Sequence, residues 1–176
     1  MEKLFTGMLL IWLDVDITLD TCKIGLLADF VGYIILMQGL RTLQEESPHF
    51  GKVRPWALAM AVYSGVLYAM DLLGVSLDMP FMAWCLGLAA VIAGLAVQYG
   101  IVAGVQDMET AHDWQLQGEK LRTLWLALAV MQVMCSLLYW VPWLSIMLAI
   151  AAFIVSICFL AAFYRTKKQY QEYVQQ

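Results

Sequence analysis

The chain has 176 residues, 62% of them hydrophobic and 14% charged, with a net charge of −4 and a mean hydropathy of +0.74. Soluble domains hold about 45–50% apolar and about 25% charged residues, and a chain of this size needs polar side chains to cover the surface it leaves in water. The composition excludes an ordinary soluble globule and predicts an all-α helical bundle in lipid, while the acidic balance excludes nucleic acid as a partner.

Six stretches approach the roughly 20 apolar residues that a helix needs to cross the hydrocarbon core. The first, residues 4–19, is short and carries Asp14 and Asp16. Its basic start resembles a secretory signal, but the aspartates interrupt the apolar run and no small-x-small cleavage site follows, so it is expected to stay on the chain. The second covers residues 22–43 and the third 56–77. The fourth covers 80–105, the fifth 121–140 and the sixth 141–164, the last two parted only by a tight turn at Trp140-Val141-Pro142-Trp143. Pro favours a break there. The reading is one membrane domain of three helical hairpins, with two longer connections at residues 44–55 and 106–120. The second connection is either an interfacial helix with Met108, Ala111 and Trp114 on one side or a solvated connector. The tail, residues 165–176, prolongs the last helix into the cytosol, where its basic residues meet anionic headgroups.

Basic residues test the orientation, because cytoplasmic loops retain Lys and Arg. With six spans and a cytoplasmic N-terminus, one side receives Lys3, Arg41, Lys52, Arg54, Lys120, Arg122, Arg165, Lys167 and Lys168. The other receives Lys23 alone. A wrong span count scatters such charges, so the asymmetry predicts six crossings with both termini inside.

In the second span, Gly25, Asp29, Gly32, Leu36 and Gly39 fall along one helical stripe. In the fourth, Gly94, Gly100 and Gly104 offer the same small surface. Small residues let helices approach closely in lipid. Asp29 lies inside this seam, about two turns below the outer end. The third span has a matching stripe of Ser64, Tyr68 and Asp71, and Asp14, Asp16, Asp20 and Lys23 gather toward the same side with Asp78 nearby. Ionisable groups at membrane depth are costly and are normally paired or functional. Three readings stand for this outward cluster: a structural polar network, a site for a cation, proton or polar solute, and exposure at the headgroups. The candidate binding residues are Asp14, Asp16, Asp29, Asp71, Tyr33, Tyr68 and Lys23.

Other motifs carry less. Asp14-x-Asp16-x-Thr18-x-Asp20 has Leu19 and Gly25 where a calcium loop needs Gly and Glu. Glu46-x-x-His49 and Glu109-x-x-His112 echo the pairs of di-iron bundles, but the companion glutamates are missing from the spans, and no metal set is assigned. The four cysteines form no CxxC pair. With no His inside any span and no Gly-flanked Ser, nothing marks catalytic residues, and no cofactor is expected. Trp56, Trp84, Trp125, Trp140 and Trp143 read as interfacial anchors.

Residues 24–35, Ile-Gly-Leu-Leu-Ala-Asp-Phe-Val-Gly-Tyr-Ile-Ile, with Ser47-Pro48-His49-Phe50 and Arg54-Pro55-Trp56, resemble small multi-pass proteins of Gram-positive bacteria. In those a Pro-Asp-Phe-Ile/Val-Gly-Tyr run precedes a basic loop; Ala28 departs from the Pro. The resemblance covers the first third to half of the chain, implies a bacterial membrane, and singles out Asp29, Gly32 and Tyr33 without supplying a reaction. In architecture alone the chain is similar to the substrate-binding subunits of energy-coupling factor transporters. The expected partners are the lipid bilayer, a small solute or cation, and a membrane protein or a second copy. Transport or solute binding is the leading expectation, and a non-catalytic scaffold or partner subunit the alternative.

Overall fold

The computed structural model describes residues 1–12, 16–19, 22–25, 29–73, 80–138 and 141–174, with the backbone alone described for 16–19, 22–25 and a few helix-end positions including Asp71. In chain order the elements are α1 (Glu2–Trp12), β1 (Asp16–Leu19), β2 (Cys22–Gly25), α2 (Asp29–Leu43), α3 (Pro48–Leu72), α4 (Pro80–His112), α5 (Gly118–Leu137) and α6 (Pro142–Val174). The described residues thus form six helices and one antiparallel hairpin, in which Asp16 faces Gly25 and Leu19 faces Cys22. We call the end holding the α2–α3 and α4–α5 connections the connector end, and the opposite end the hairpin end.

Four helix boundaries differ from those expected. The first helix stops at Trp12 and the chain turns extended at Asp16–Leu19, where β-branched Ile17 and Thr18 favour a strand over a helix. The second helix begins at Asp29, an acid that suits the positive end of a helix. Gly25 is therefore in β2, outside the helical stripe in which the sequence had placed it. At 1.5 Å per residue, α1 and α2 are about 16 and 22 Å long, short of the roughly 30 Å hydrocarbon core. Among the described residues three helices are long and apolar enough to cross a membrane, within Trp84–His112, Gly118–Leu137 and Trp143–Val174.

The other two differences lie at the connector end. α3 starts at Pro48 and carries Pro55 inside it. Ser47 explains the early start: its Oγ accepts the His49 N–H at 3.3 Å, an N-cap with Pro at the first helical position. The residue one turn before Pro55 is Gly51, whose missing side chain eases the crowding that Pro imposes on the preceding turn. α4 continues through the expected connector to His112, so that only residues 113–117 join it to α5. Asp113 and Gln117, at φ 54° and 61°, make the two left-handed bends; Asp is among the residues that tolerate this region.

Packing follows chain order. Each helix rests on the next, α1 closes the ring against α6, and β2 lies along α3. The α1–α2 contact is made almost backbone to backbone. A methyl group at Gly7 would fall 2.6 Å from the Leu36 N, one at Gly39 2.7 Å from the Leu4 N, and one at Gly32 2.7 Å from Ile11 Cγ1. α3 and α4 mesh differently, with Val53 filling the gap at Gly100 and the Phe50 ring lying 2.6 Å from a methyl position at Gly104. Gly94 has only an ordinary contact, at 3.7 Å from the Tyr33 hydroxyl.

The fully buried side chains gather in the connector half. Leu4, Met8, Leu36, Leu40, Phe50, Ala57, Ile101, Met108, Leu121, Leu128, Phe159 and Phe163 are all 0–1% exposed, and each sits in the half of its helix nearer that end or at its middle. Gly7→Val or Gly39→Val is expected to lower the thermal midpoint in detergent, since overpacking costs about 1–3 kcal/mol. Gly87→Ala, where a methyl meets nothing within 4 Å, is expected to leave the midpoint unchanged or raise it.

Candidate functional site

Because α1 ends at Trp12 while α4, α5 and α6 run on toward the hairpin end, no helix among the described residues continues α1 beyond that residue. A cleft of about 340 Å³ lies there, lined by Trp12 of α1, Val91 of α4, Gln132 and Ser136 of α5, and Ala152 and Phe153 of α6, among others. Small residues on α6, Ala149 and Ala152, leave the space. Phe153 is 63% exposed, so the cleft opens on the outer face of α6.

Most polar groups around the cleft are already engaged. Ser136 Oγ donates to the Gln132 carbonyl at 3.0 Å and Ser156 Oγ to the Ala152 carbonyl at 2.7 Å, each within its own helix. Trp84 Nε1 donates to the Ser136 carbonyl at 3.0 Å, tying α4 to α5, and Cys135 Sγ lies 3.6 Å from Ser145 Oγ, tying α5 to α6. Two groups are exceptions: the Gln132 carboxamide lines the cleft with no hydrogen bond among the described residues, and the Trp12 indole Nε1 is buried there without a partner among them. No carboxylate or amine lines the cleft among the described residues. Below the cleft the ring closes, with Leu128 one turn from Gln132 and Phe159 one turn from Ser156, both 0% exposed.

The residues singled out in the sequence are distributed differently. Asp14, Asp20 and Asp78 lie outside the described residues, as does Trp140. Asp16 is in β1 opposite Gly25, and Lys23 in β2 opposite Thr18. Asp71 is in the last turn of α3. Asp29 is the first residue of α2, half-buried, and so sits at a helix terminus. That position explains an acid there, since the helix dipole favours negative charge at its N-terminus.

Tyr33, 6% exposed, and Gly94 do come together, across the α2–α4 contact. Tyr68 packs its ring against Phe30 at 5.8 Å. On α4, Val91, Gly94 and Gln98 share one stripe, and the Gln98 Oε1 is buried without a partner among the described residues. Two of the tryptophans read as anchors instead join helices. Trp84 does so through Ser136, and Trp125 donates to the Leu95 carbonyl at 3.2 Å. Gln98 and Gln132 were missed in the sequence. Each is a carboxamide within an otherwise apolar stretch, and weighing uncharged polar groups as heavily as acids would have found them.

At the connector end a second polar set holds the ring together. Ser47 Oγ donates to Asp107 Oδ2 at 2.5 Å, and Glu109 Oε2 accepts the Gly118 N–H at 2.9 Å, satisfying a free donor at the start of α5. Thr166, fully buried, donates to the Leu116 carbonyl at 2.7 Å. His112 lies 3.7 Å from Glu46 and stacks on Trp114, which stacks on Tyr173. Lys167 reaches Glu2 at 3.5 Å and passes over the Phe5 ring. Glu46, Glu109 and His112 of the Glu-x-x-His pairs thus make structural contacts, and among the described residues no three His, Cys, Asp or Glu side chains group as metal ligands.

Comparison with protein families, with curated proteins and with solved structures finds no match to this chain. Thr166→Val, which keeps the shape but strands the buried Leu116 carbonyl, is expected to cost about 1–3 kcal/mol. A thermal melt in detergent reads this as a lowered midpoint.

Proposed function

We propose that this chain is a small multi-pass protein of a bacterial cell membrane, with cytoplasmic termini, that binds or transports a small uncharged solute held in the cleft beside the end of α1. The observation that carries the reading is the unspent Gln132 carboxamide in a cleft of about 340 Å³, walled by helices long and apolar enough to cross a membrane. That volume falls within the range of small-molecule sites, about 300–1,000 Å³. Of the cation, proton and polar solute that the sequence suggested, the lining favours the uncharged one, because an ion held without a counter-charge in this layer is costly.

The one-sided placement of Lys and Arg supports six crossings and puts the connector end in the cytosol. An 11-residue helix followed by a four-residue strand reaches about 30 Å, so each arm of the α1–α2 pair is long enough to reach across with its strand included. The likeness of residues 24–35 to small Gram-positive membrane proteins supports the bacterial membrane. A second reading, a partner subunit, is favoured by the packed connector end: α4 and α6 each hold 33 residues, about 50 Å, and extend well beyond the hydrocarbon core.

Native mass spectrometry of the protein in nanodiscs separates the two. A bound small molecule is expected on the natural chain and on Asp29→Asn, and is expected to be absent from Ala152→Trp, which fills the cleft. Loss on Asp29→Asn but not on Ala152→Trp would move the site to the aspartates. A stoichiometric protein with no small molecule would favour the partner subunit.

A further inference from the structure

We infer that the occupant of the cleft is a neutral lipid-like amphiphile that enters sideways from the bilayer, lays its hydrocarbon body along Ala149, Ala152 and Phe153, and pairs one carbonyl or hydroxyl head with Gln132. This rests on the cleft being a ligand site and names the class of ligand.

The first argument is the direction of the opening. Phe153 at the mouth is 63% exposed, and its α6 neighbours Ile146, Ile150 and Ile157 are 57%, 58% and 53% exposed. A face so apolar on a membrane-crossing helix meets acyl chains, so the mouth opens to lipid. The closed layer at Leu128 and Phe159 makes the cleft a blind pocket rather than a passage toward the connector end.

The second argument is the chemistry of the lining. Val91, Ala149, Ala152 and Phe153 offer only hydrocarbon, and the Ser136 and Ser156 hydroxyls are turned back onto their own helices. The Gln132 carboxamide remains, one acceptor and two donors on a single side chain, beside the unpartnered Trp12 indole N–H, a donor that an ester carbonyl or hydroxyl oxygen can also meet. In hydrocarbon an unmade hydrogen bond is expensive, so a ligand with one neutral hydrogen-bonding group is favoured over a bare alkane. Further polar groups of the ligand find no partner in the lining, so they stay outside the cleft at the headgroup layer. An ester carbonyl of a bilayer phospholipid and the head of a free monoacylglycerol both satisfy this demand.

Photo-crosslinking tests the assignment. The protein, reconstituted in vesicles, is exposed to a diazirine-bearing monoacylglycerol or to a phosphatidylcholine with a diazirine in its acyl chain, and adducts are mapped by mass spectrometry. Adducts are expected to concentrate on residues 132–136 and 149–153, severalfold above exposed Leu126 and Ile146 on the same helices. Reaction with the phosphatidylcholine alone identifies a bilayer lipid, and with the monoacylglycerol alone a free amphiphile; either supports the inference. Gln132→Leu is expected to lower the yield in the cleft about fivefold, the equivalent of one hydrogen bond of about 1 kcal/mol, and Ala152→Trp to abolish it. Uniform labelling of α5 and α6, or labelling indifferent to both substitutions, overturns it.

A second measurement distinguishes the ligand class from the site. With Cys22, Cys85 and Cys158 replaced by Ser, Cys135 in the cleft wall is expected to resist a charged, water-soluble thiol reagent. Rapid labelling means a water-filled cleft, which overturns the lipid ligand and leaves solute binding standing. Absence of any bound molecule from the native mass spectra removes the solute-binding reading itself.

Discussion

The close approach of α1 and α2 governs the rest of the molecule. Gly7, Gly32 and Gly39 leave the two backbones so near that a single added methyl group would overlap main-chain atoms or Ile11. In lipid there is no hydrophobic force to draw helices together, and such small-residue contacts supply the packing instead. Fixed in this register, α1 carries Leu4 and Met8 into the core and rests on α6, which closes the ring in the connector half. It also ends at Trp12, and among the described residues no helix takes its place beside α6 in the hairpin half. The packed half and the open half are two results of one contact.

The connector end stiffens what the glycines start. Ser47 begins α3 and binds Asp107 of α4, Glu109 holds the first turn of α5, and Thr166 of α6 secures the link between them. These bonds join four helices at one end of the ring. The cleft at the far end can then stay open, because the helices that wall it are anchored elsewhere. A blind pocket over a rigid base suits retention of a ligand more than free passage of one, and any transport through it needs the base to move.

Spacing alone marks the glycine and acid positions as residue types in need of a reason without supplying it. Gly32 and Gly39 were found from their stripe, whereas Gly7, which faces them, stands alone in its helix and gives no pattern. Apolar residues continue on both sides of Asp29, so hydropathy does not show that α2 begins there, where the helix dipole favours a carboxylate. Pro55 looked like a boundary because proline usually is one, and the Ser47 cap with Gly51 in the preceding turn carried the helix through it. Gln98 and Gln132 escaped notice because neither is charged and neither forms a motif with its neighbours.

What the sequence determined by itself is the solvent: an apolar excess this large, in helical stretches with few charges, leaves lipid as the medium for the long helices α4, α5 and α6. It also determined that small residues would set the spacing between helices. Only the tertiary structure decided where the ring is filled and where it is open. That depends on how far one short helix extends beside three long ones, a difference in length that hydropathy blurs, since the chain remains apolar after the helix has ended.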